Sequence, residues 1–179
     1  MEVLKAQLMD EPTVLRTLMR MAHEITEKNK GVENICLVGV HSRGVPLAEA
    51  LRDNIEKIEG TRLPCGSLDI SFYRDDRTHS NAPVFHQAEL PFSIADKKIV
   101  LVDDVLYTGR TVRAAIEALF SLGRPRCIQL AILIDRGHRE LPIRADYVGK
   151  SVPTSESEQI RVQFPPFDEK IGVQIYQEG

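Results

Sequence analysis

Three short, mainly apolar runs constrain the fold of this 179-residue chain more than any other feature. They are residues 35–40, 99–102 and 127–134, and helical patterns at 44–59 and 109–122 follow the first two runs. Strands that are apolar on both faces and alternate with helices are typical of a parallel sheet covered by helices on both sides. We therefore predict an α/β protein with a mostly parallel central sheet flanked by helices.

Other segments fit around this sheet. Residues 12–30 are predicted to be helical, because Pro12 suits a first helical turn and Gly31 ends the apolar periodicity. A short strand is predicted at 68–72. The stretch 73–91, which contains Asp-Asp, Ser-Asn and two prolines, is predicted to be a long loop of the kind that serves as a functional lid.

The remainder of the chain, beyond residue 135, is more polar and contains short β-like runs at 160–164 and 173–176. It is predicted to form a small lobe appended to the sheet. No repeat or linker divides the chain, so one domain is expected over residues 1–179.

Composition excludes several classes of function. The formal net charge of −3 argues against a protein that coats nucleic acid without specificity. The three cysteines are widely spaced and the histidines lack metal-binding spacing, so we expect neither a disulfide framework nor a zinc site. Free thiols are typical of a reducing compartment, and we expect a cytoplasmic protein. No apolar run is long enough to span a bilayer, and we expect no membrane partner.

Polar residues follow the second apolar run in a pattern that indicates a phosphate site. Asp103 and Asp104 come first, and Thr108-Gly109-Arg110-Thr111 then opens a predicted helix. Backbone N–H groups at a helix N-terminus bind phosphate. Two carboxylates just upstream can accept hydrogen bonds from a sugar diol and hold Mg²⁺ through water. A ribose 5-phosphate cradle is therefore predicted at the carboxyl end of the sheet.

Competing interpretations of this segment are weaker. It can be a ligand-free turn in which the aspartates cap a helix. The chain lacks both the G-x-x-x-x-G-K-[ST] loop of nucleoside triphosphatases and the G-x-G-x-x-G dinucleotide fingerprint.

Residues 99–111 resemble the phosphoribosyl pyrophosphate signature of the type I phosphoribosyltransferases, and residues 38–44 resemble the pyrophosphate loop of that family. The resemblance implies a lid containing Tyr73 and Arg74, a hood at about 135–160, and catalytic roles for Asp103, Asp104 and Arg43. It implies Mg²⁺ at Asp103 and Asp104, held through water and substrate. It also implies that phosphoribosyl pyrophosphate and UMP bind through Ser42, Arg43, Asp103, Asp104, Val105, Leu106, Tyr107, Thr108, Gly109, Arg110 and Thr111.

Tyr107 bears on the choice of base, because enzymes of that family acting on 6-oxopurines carry an aspartate there. The strings 68–76, 103–111, 135–146 and 149–155 resemble the bifunctional pyrimidine-operon attenuation regulators that also act as uracil phosphoribosyltransferases. This resemblance runs to about Gln163. It implies conversion of uracil and phosphoribosyl pyrophosphate into UMP and pyrophosphate, with base contacts at Asp135 and Ile160. It further implies response to UMP or UTP, binding to the leader mRNA of a pyrimidine operon, and a homodimer or homotetramer.

A row of basic residues provides a candidate RNA face. Arg16, Arg20 and His23 lie at i, i+4 and i+7 of the first predicted helix, where they can meet successive phosphates. The plain alternative is a solvated face on which Arg20 pairs with a nearby glutamate. The resemblance favours RNA and adds three positions, although Met19 departs from the pattern. The added positions are Arg139, Arg144 and Lys150. A uracil salvage enzyme without RNA function remains the main alternative, and a purine salvage enzyme is a weaker one.

Overall fold

The computed structural model describes residues 2–71 and 88–179. Its strands are β1 (Glu2–Met9), β2 (Ile35–Val40), β3 (Cys65–Leu68), β4 (Lys98–Leu106), β5 (Cys127–Asp135), β6 (Tyr147–Ser151), β7 (Glu158–Gln163) and β8 (Gly172–Glu178). Its helices are α1 (Glu11–Lys28), α2 (Gly44–Glu59) and α3 (Arg110–Leu122). No helix among these described residues is long and apolar enough to cross a lipid bilayer.

Five strands form one parallel sheet in the order β3-β2-β4-β5-β6. Side chains alternate between its faces, so successive residues of β4 join different cores. Val100 packs on the side of α1 and α2 with Leu18, whereas Leu101 packs on the side of α3 with Leu119. The predicted α/β fold with a central parallel sheet is confirmed.

Parallel pairing brings three loops to the same edge of this sheet. The strands β2, β4 and β5 are neighbours, and Leu106 near the end of β4 pairs with Asp135 at the end of β5. Residues 41–44, 107–111 and 136–141, which follow these strands, therefore lie side by side. This is the edge at which open α/β sheets bind ligands.

A second, antiparallel sheet has the strand order β1-β8-β7. It contains the two β-like runs predicted near the C-terminus, together with the N-terminal strand β1, which the sequence pattern did not predict. Within the segment expected to form a hood at about 135–160, β6 pairs with β5 as an edge strand of the main sheet. The small lobe next to the main sheet is thus built mainly from β1, β7 and β8.

Several element boundaries differ from the prediction. The strand expected at 68–72 is β3, at Cys65–Leu68, where Ser67 exchanges backbone hydrogen bonds of 3.0 Å with Glu89. The strand expected to end at Val102 continues to Leu106, because pairing with β5 persists across the two aspartates. The first helix begins at Glu11 because the Asp10 carboxylate accepts a hydrogen bond from the Thr13 N–H.

Candidate active site

Two glycines bring the β2–α2 turn directly onto β4. A Cβ at Gly39 would lie 2.5 Å from the Gly44 carbonyl oxygen, and a Cβ at Gly44 would lie 2.4 Å from the Val102 carbonyl oxygen and 3.2 Å from the Asp103 Cα. A side chain at Gly39 is therefore excluded by the backbone at Gly44, and one at Gly44 by the backbone of β4. The turn carries Ser42, which is exposed, and Arg43, which is half-buried. Close backbone packing thus places the predicted pyrophosphate loop beside the predicted ribose carboxylates.

The two carboxylates lie within β4. Asp103 is buried, with 7% of its surface exposed, and Asp104 is half-buried. Asp103 Oδ1 accepts a hydrogen bond of 2.9 Å from the Asp104 N–H, and Asp104 Oδ1 accepts one of 2.8 Å from the Val105 N–H. Each carboxylate therefore keeps one oxygen on a backbone N–H of the strand end.

The loop 107–111, which we call the phosphate loop, turns β4 into α3. Gly109 has φ +92°, a conformation that favours glycine, and is the N-cap of α3. The Thr108 hydroxyl accepts a hydrogen bond of 3.3 Å from the Arg110 N–H. Arg110 Nε also donates to a Glu140 carboxylate oxygen at 2.7 Å. The residues predicted for the phosphate site therefore surround the start of α3, with Thr111 in the first turn of the helix.

Arg43 is bound by a carboxylate that the sequence analysis did not single out. Its Nε and Nη2 donate to Asp168 Oδ2 and Oδ1 at 2.9 and 3.0 Å. Asp168 Oδ2 also accepts a hydrogen bond of 2.8 Å from the Phe164 N–H. The hydrogen bonds from Arg43 hold the pKa of Asp168 below its ordinary value, and the same pair raises the pKa of Arg43. The pair joins the β2–α2 turn to the segment between β7 and β8.

A cavity of about 450 Å³ lies between the two sheets at this edge. It brings together three residues predicted for the site, Arg43, Asp104 and Ile160. The other lining residues come from β7, β8 and the segment between them; they are Arg161, Val162, Gln163, Asp168 and Tyr176. Only the resemblance pointed to this wall, because β7 has no motif of its own.

Asp135 lies elsewhere. Its carboxylate accepts hydrogen bonds from Arg139 Nη2 at 2.6 Å and from the Gly137 N–H at 3.1 Å, and Asp135 does not line the cavity. Arg139 is equally occupied, because its Nη1 donates to the Tyr107 carbonyl at 2.9 Å and its Nε to the Ile143 carbonyl at 3.0 Å. Both residues stabilise the turn that follows β5.

The Tyr107 ring packs against this same turn. The Arg136 guanidinium carbon lies 3.9 Å from the ring centroid, and the His138 ring contacts it edge-on with centroids 5.9 Å apart. Arg136 is only 7% exposed and also donates to the Thr154 hydroxyl at 3.1 Å. A cation stacked on an aromatic face stabilises both groups. Arg136 is therefore a structural neighbour of the phosphate loop that the sequence analysis missed.

The predicted basic face lies on α1 and β6. Arg16, Arg20 and His23 are exposed on α1. Arg20 binds Glu24 at 2.6 Å, and its Nη2 donates to the Val148 and Gly149 carbonyls of β6 at 3.2 and 2.5 Å. The helix therefore sits on the strand that carries Lys150, which is exposed, as is Arg144. Of the six predicted RNA contacts, Arg139 is the one that is half-buried, and the other five are exposed.

Two further predictions concern the lid and the metal. Tyr73 and Arg74 lie outside the described residues. Among residues 2–71 and 88–179, no group of three or more histidine, cysteine or carboxylate side chains could enclose a metal ion. A metal at Asp103 and Asp104 would thus need ligands from water and substrate, which suits Mg²⁺.

Comparisons with known proteins agree with this architecture. The phosphoribosyl transferase domain family matches residues 5–167. The bifunctional protein PyrR of Caldicellulosiruptor bescii is 63% identical over 163 residues, covering 90% of each chain. That of Clostridium acetobutylicum is 57% identical over 175 residues, covering 97% of this chain and 98% of the relative. A solved hypoxanthine phosphoribosyltransferase from Trypanosoma cruzi has a TM-score of 0.76 at 18% identity, covering 97% of this chain and 96% of its own, and shows the fold alone.

Proposed function

The chain belongs to the phosphoribosyl transferase domain family and to its bifunctional PyrR group, and on this premise we propose that it converts uracil and phosphoribosyl pyrophosphate into UMP and pyrophosphate. We further propose that it is a UMP-responsive RNA-binding regulator of pyrimidine biosynthesis genes. The observation that carries the enzymatic proposal is the cavity lined jointly by Arg43, Asp104 and Ile160. Around this one space, Arg43 is a cation suited to the leaving group, Asp104 is a carboxylate suited to the ribose, and Ile160 is the proposed contact for the base.

The reaction forms a bond between N1 of uracil and C1′ of the ribose while the bond from C1′ to the pyrophosphate oxygen breaks. The N1 proton is released, and pyrophosphate departs with the bonding electrons. Positive charge develops on the sugar ring, where the carboxylates of Asp103 and Asp104 stabilise it and bind the diol. Arg43 stabilises the negative charge that gathers on pyrophosphate. The phosphate loop holds the 5′-phosphate and fixes the distance between the reacting atoms.

Mg²⁺ fits this set of residues as the cofactor. Asp103 and Asp104 offer oxygen ligands, and Mg²⁺ commonly binds one or two carboxylates while it keeps several waters and substrate phosphates. When bound, the ion would neutralise charge on the pyrophosphate. The proposed lid residues Tyr73 and Arg74 would close over the same space and exclude water, which otherwise hydrolyses phosphoribosyl pyrophosphate.

Packing between α1 and β6 supports the RNA-binding part of the proposal. Contacts from Arg20 to the Val148 and Gly149 carbonyls bring the basic residues of α1 next to Lys150. The chain is acidic overall, so a local cluster of cations is the feature that would attract RNA. We define the basic face as the exposed residues Arg16, Arg20, His23, Arg144 and Lys150. It omits Arg139, which is half-buried and bound to Asp135 and to the Tyr107 and Ile143 carbonyls. Exposed single-stranded loops of leader mRNA are the preferred target for such a face.

One paired experiment tests both parts. Uracil conversion is measured with phosphoribosyl pyrophosphate and Mg²⁺, and binding to leader RNA of a pyrimidine operon is measured with and without UMP. We expect conversion to UMP and tighter RNA binding when UMP is present. Conversion without RNA binding would leave a uracil salvage enzyme, and absence of both would overturn the proposal. Assembly into a homodimer or homotetramer stays a prediction, which sedimentation of the purified protein tests.

A further inference from the structure

Three consecutive carbonyl groups at the start of the phosphate loop are held by the turn after β5. The Leu106 carbonyl accepts a hydrogen bond of 3.1 Å from the Arg136 N–H. The Thr108 carbonyl accepts two, from the Glu140 N–H at 2.9 Å and the Leu141 N–H at 3.2 Å. Between them, the Tyr107 carbonyl accepts its bond from the Arg139 side chain. The first peptide groups of the loop are thus oriented by residues 136–141.

This arrangement determines where the amide groups of the loop point. In a planar trans peptide the C=O and N–H groups face opposite directions. Because the carbonyls of residues 106–108 face the turn, the N–H groups of Tyr107, Thr108 and Gly109 point away from it. Successive amides directed to one side make an anion-binding concavity. The turn after β5 therefore holds the phosphate loop in the form that binds a phosphate.

Among the hydrogen-bond donors to these carbonyls, the Arg139 side chain is the one that a substitution can remove. The other donors to residues 106–108 are backbone N–H groups, whereas Arg139 uses a planar guanidinium with three separate acceptors. Its pair with Asp135 at 2.6 Å anchors the guanidinium, and only 22% of its side chain is exposed. Lysine cannot reproduce this geometry, since a single ammonium group lacks the rigid fork.

We propose that Arg139 is a positioning residue for the phosphate loop, and that any effect it has on RNA binding is exerted through the bound nucleotide. This inference rests on the proposed function, because it concerns the site that UMP occupies. The guanidinium fixes the Tyr107–Thr108 peptide and, through the Ile143 carbonyl, the chain next to Arg144. A 5′-phosphate in the loop therefore favours the same arrangement of the turn that presents Arg144 to RNA. By thermodynamic linkage, bound RNA must then raise the affinity for UMP by the same factor by which UMP raises the affinity for RNA.

The test compares Arg139→Gln and Arg139→Lys with the parent, and uses Arg126→Gln as a matched control. Arg126 also pairs with a carboxylate, at 3.6 Å from Asp96, but its side chain is 55% exposed and it lies at the opposite end of β5. Binding of UMP and of uridine is measured by calorimetry on the full chain. We expect both Arg139 variants to bind UMP about tenfold more weakly, the effect of losing one hydrogen bond from a charged group. Binding of uridine, which lacks the phosphate, should not change.

RNA binding separates this role from a direct contact. With UMP at saturation, both Arg139 variants should bind leader RNA with the parent's salt dependence. A direct phosphate contact predicts instead that Arg139→Gln lowers the salt slope by about one unit and that Arg139→Lys restores it. That result, or unchanged UMP affinity in either variant, would overturn the inference. Equal loss of UMP and uridine binding would also overturn it, because it indicates general damage to the fold. If the parent itself fails to bind UMP, the proposed function fails instead.

Discussion

Asp168 binds both Nε and Nη2 of Arg43, with oxygen–nitrogen distances of 2.9 and 3.0 Å, across 125 positions of sequence. The guanidinium that we assign to the leaving group is thus oriented by the segment between β7 and β8. A planar guanidinium and a carboxylate match in this bidentate geometry, which adds directional strength. The contact connects the edge of the main sheet that we assign to phosphate binding with the cavity that we assign to uracil.

This pair predicts a specific loss of stability in acid. The pKa of Asp168 is lowered in the folded chain, so its contribution is complete above the unfolded pKa, about 3.9, and is lost as pH falls through the lower folded value. We expect Asp168→Asn to be less stable than the parent at neutral pH. The difference should shrink below about pH 4, where the parent loses the same charge. Urea unfolding across pH measures it, with the exposed Asp53→Asn as control, and a difference independent of pH would contradict the assignment.

Replacing both strand carboxylates should sharply reduce turnover and preserve the fold. In Asp103→Asn/Asp104→Asn each side chain keeps the oxygen that accepts a backbone N–H, and only the charge is lost. We expect kcat/KM for uracil to fall by at least about 100-fold, which corresponds to about 2.7 kcal/mol of transition-state stabilisation. Steady-state kinetics with Mg²⁺ measure the loss of turnover, and a thermal melt checks that the fold is preserved. Parent-like turnover in the double variant would show that these carboxylates do not serve the reaction.

The enzyme should select uracil over hypoxanthine and guanine. A site that hydrogen-bonds the donors and acceptors of one ring rejects another by about 10⁴-fold or more when buried polar groups lose their partners. The Tyr107 ring lies against Arg136 and His138, where purine-specific relatives of the family are expected to present a carboxylate. Competing the three bases in one assay measures the ratios of kcat/KM. A comparable value for either purine would refute the pyrimidine assignment.

Gly44 should tolerate no side chain. A methyl group there would lie 2.4 Å from the Val102 carbonyl oxygen, so the β2–α2 turn must move away from β4. We expect Gly44→Ala to lower the free energy of unfolding by about 1–3 kcal/mol, as overpacking typically does, and to weaken binding of phosphoribosyl pyrophosphate. Glu49→Ala, at an exposed position of α2, serves as the control. Parent-like stability and affinity in Gly44→Ala would show that the close approach is dispensable.

The basic face predicts a salt-dependent loss of RNA binding. Arg144→Gln and Lys150→Gln each remove an exposed cation, so each should lower the slope of log affinity against log salt by about one unit. Lys57→Gln removes an exposed cation from α2 and should leave the slope unchanged. Filter binding to leader RNA at several salt concentrations measures the slopes. If both face variants match the parent throughout, the face is solvated surface and the protein is a salvage enzyme only.

The elements that could be predicted from the sequence are those whose residue pattern lies within the element itself. The strands β2, β4 and β5 are buried on both faces. Strands of this kind are apolar along nearly their whole length, so their sequences can be recognised. The strand β1 has no such apolar pattern, because most of its residues are exposed. It is stabilised by pairing with β8, about 170 positions away. β3 was displaced in the prediction because Gly66 and Ser67 disfavour strands. At Gly66 a Cβ would lie 2.6 Å from the Glu89 carbonyl oxygen, a contact that no local pattern records.

The site divides in the same way. Asp103, Asp104 and the phosphate loop form one motif within a single strand–loop–helix unit, and the structure keeps them together. Asp168 follows two prolines and a phenylalanine without any motif, so only its contact with Arg43 identifies it. The hydrogen bonds of Arg139 likewise depend on the tertiary structure. From sequence alone, a charged residue in a polar segment cannot be told from a solvated surface residue.

The pairing of β8 between β1 and β7 has a consequence for biosynthesis. The ribose and phosphate cradle is complete once β5 and its turn have been made, since its strands precede residue 142. The wall of the cavity that we assign to the base contains Tyr176 of β8, and β8 is the central strand of its sheet. During translation, the cradle can therefore assemble on the ribosome before the base wall exists, and pairing of β1 must wait for residues 172–178. The wall of the cavity, unlike the phosphate loop, therefore forms only after residues 172–178 have paired with β1 and β7.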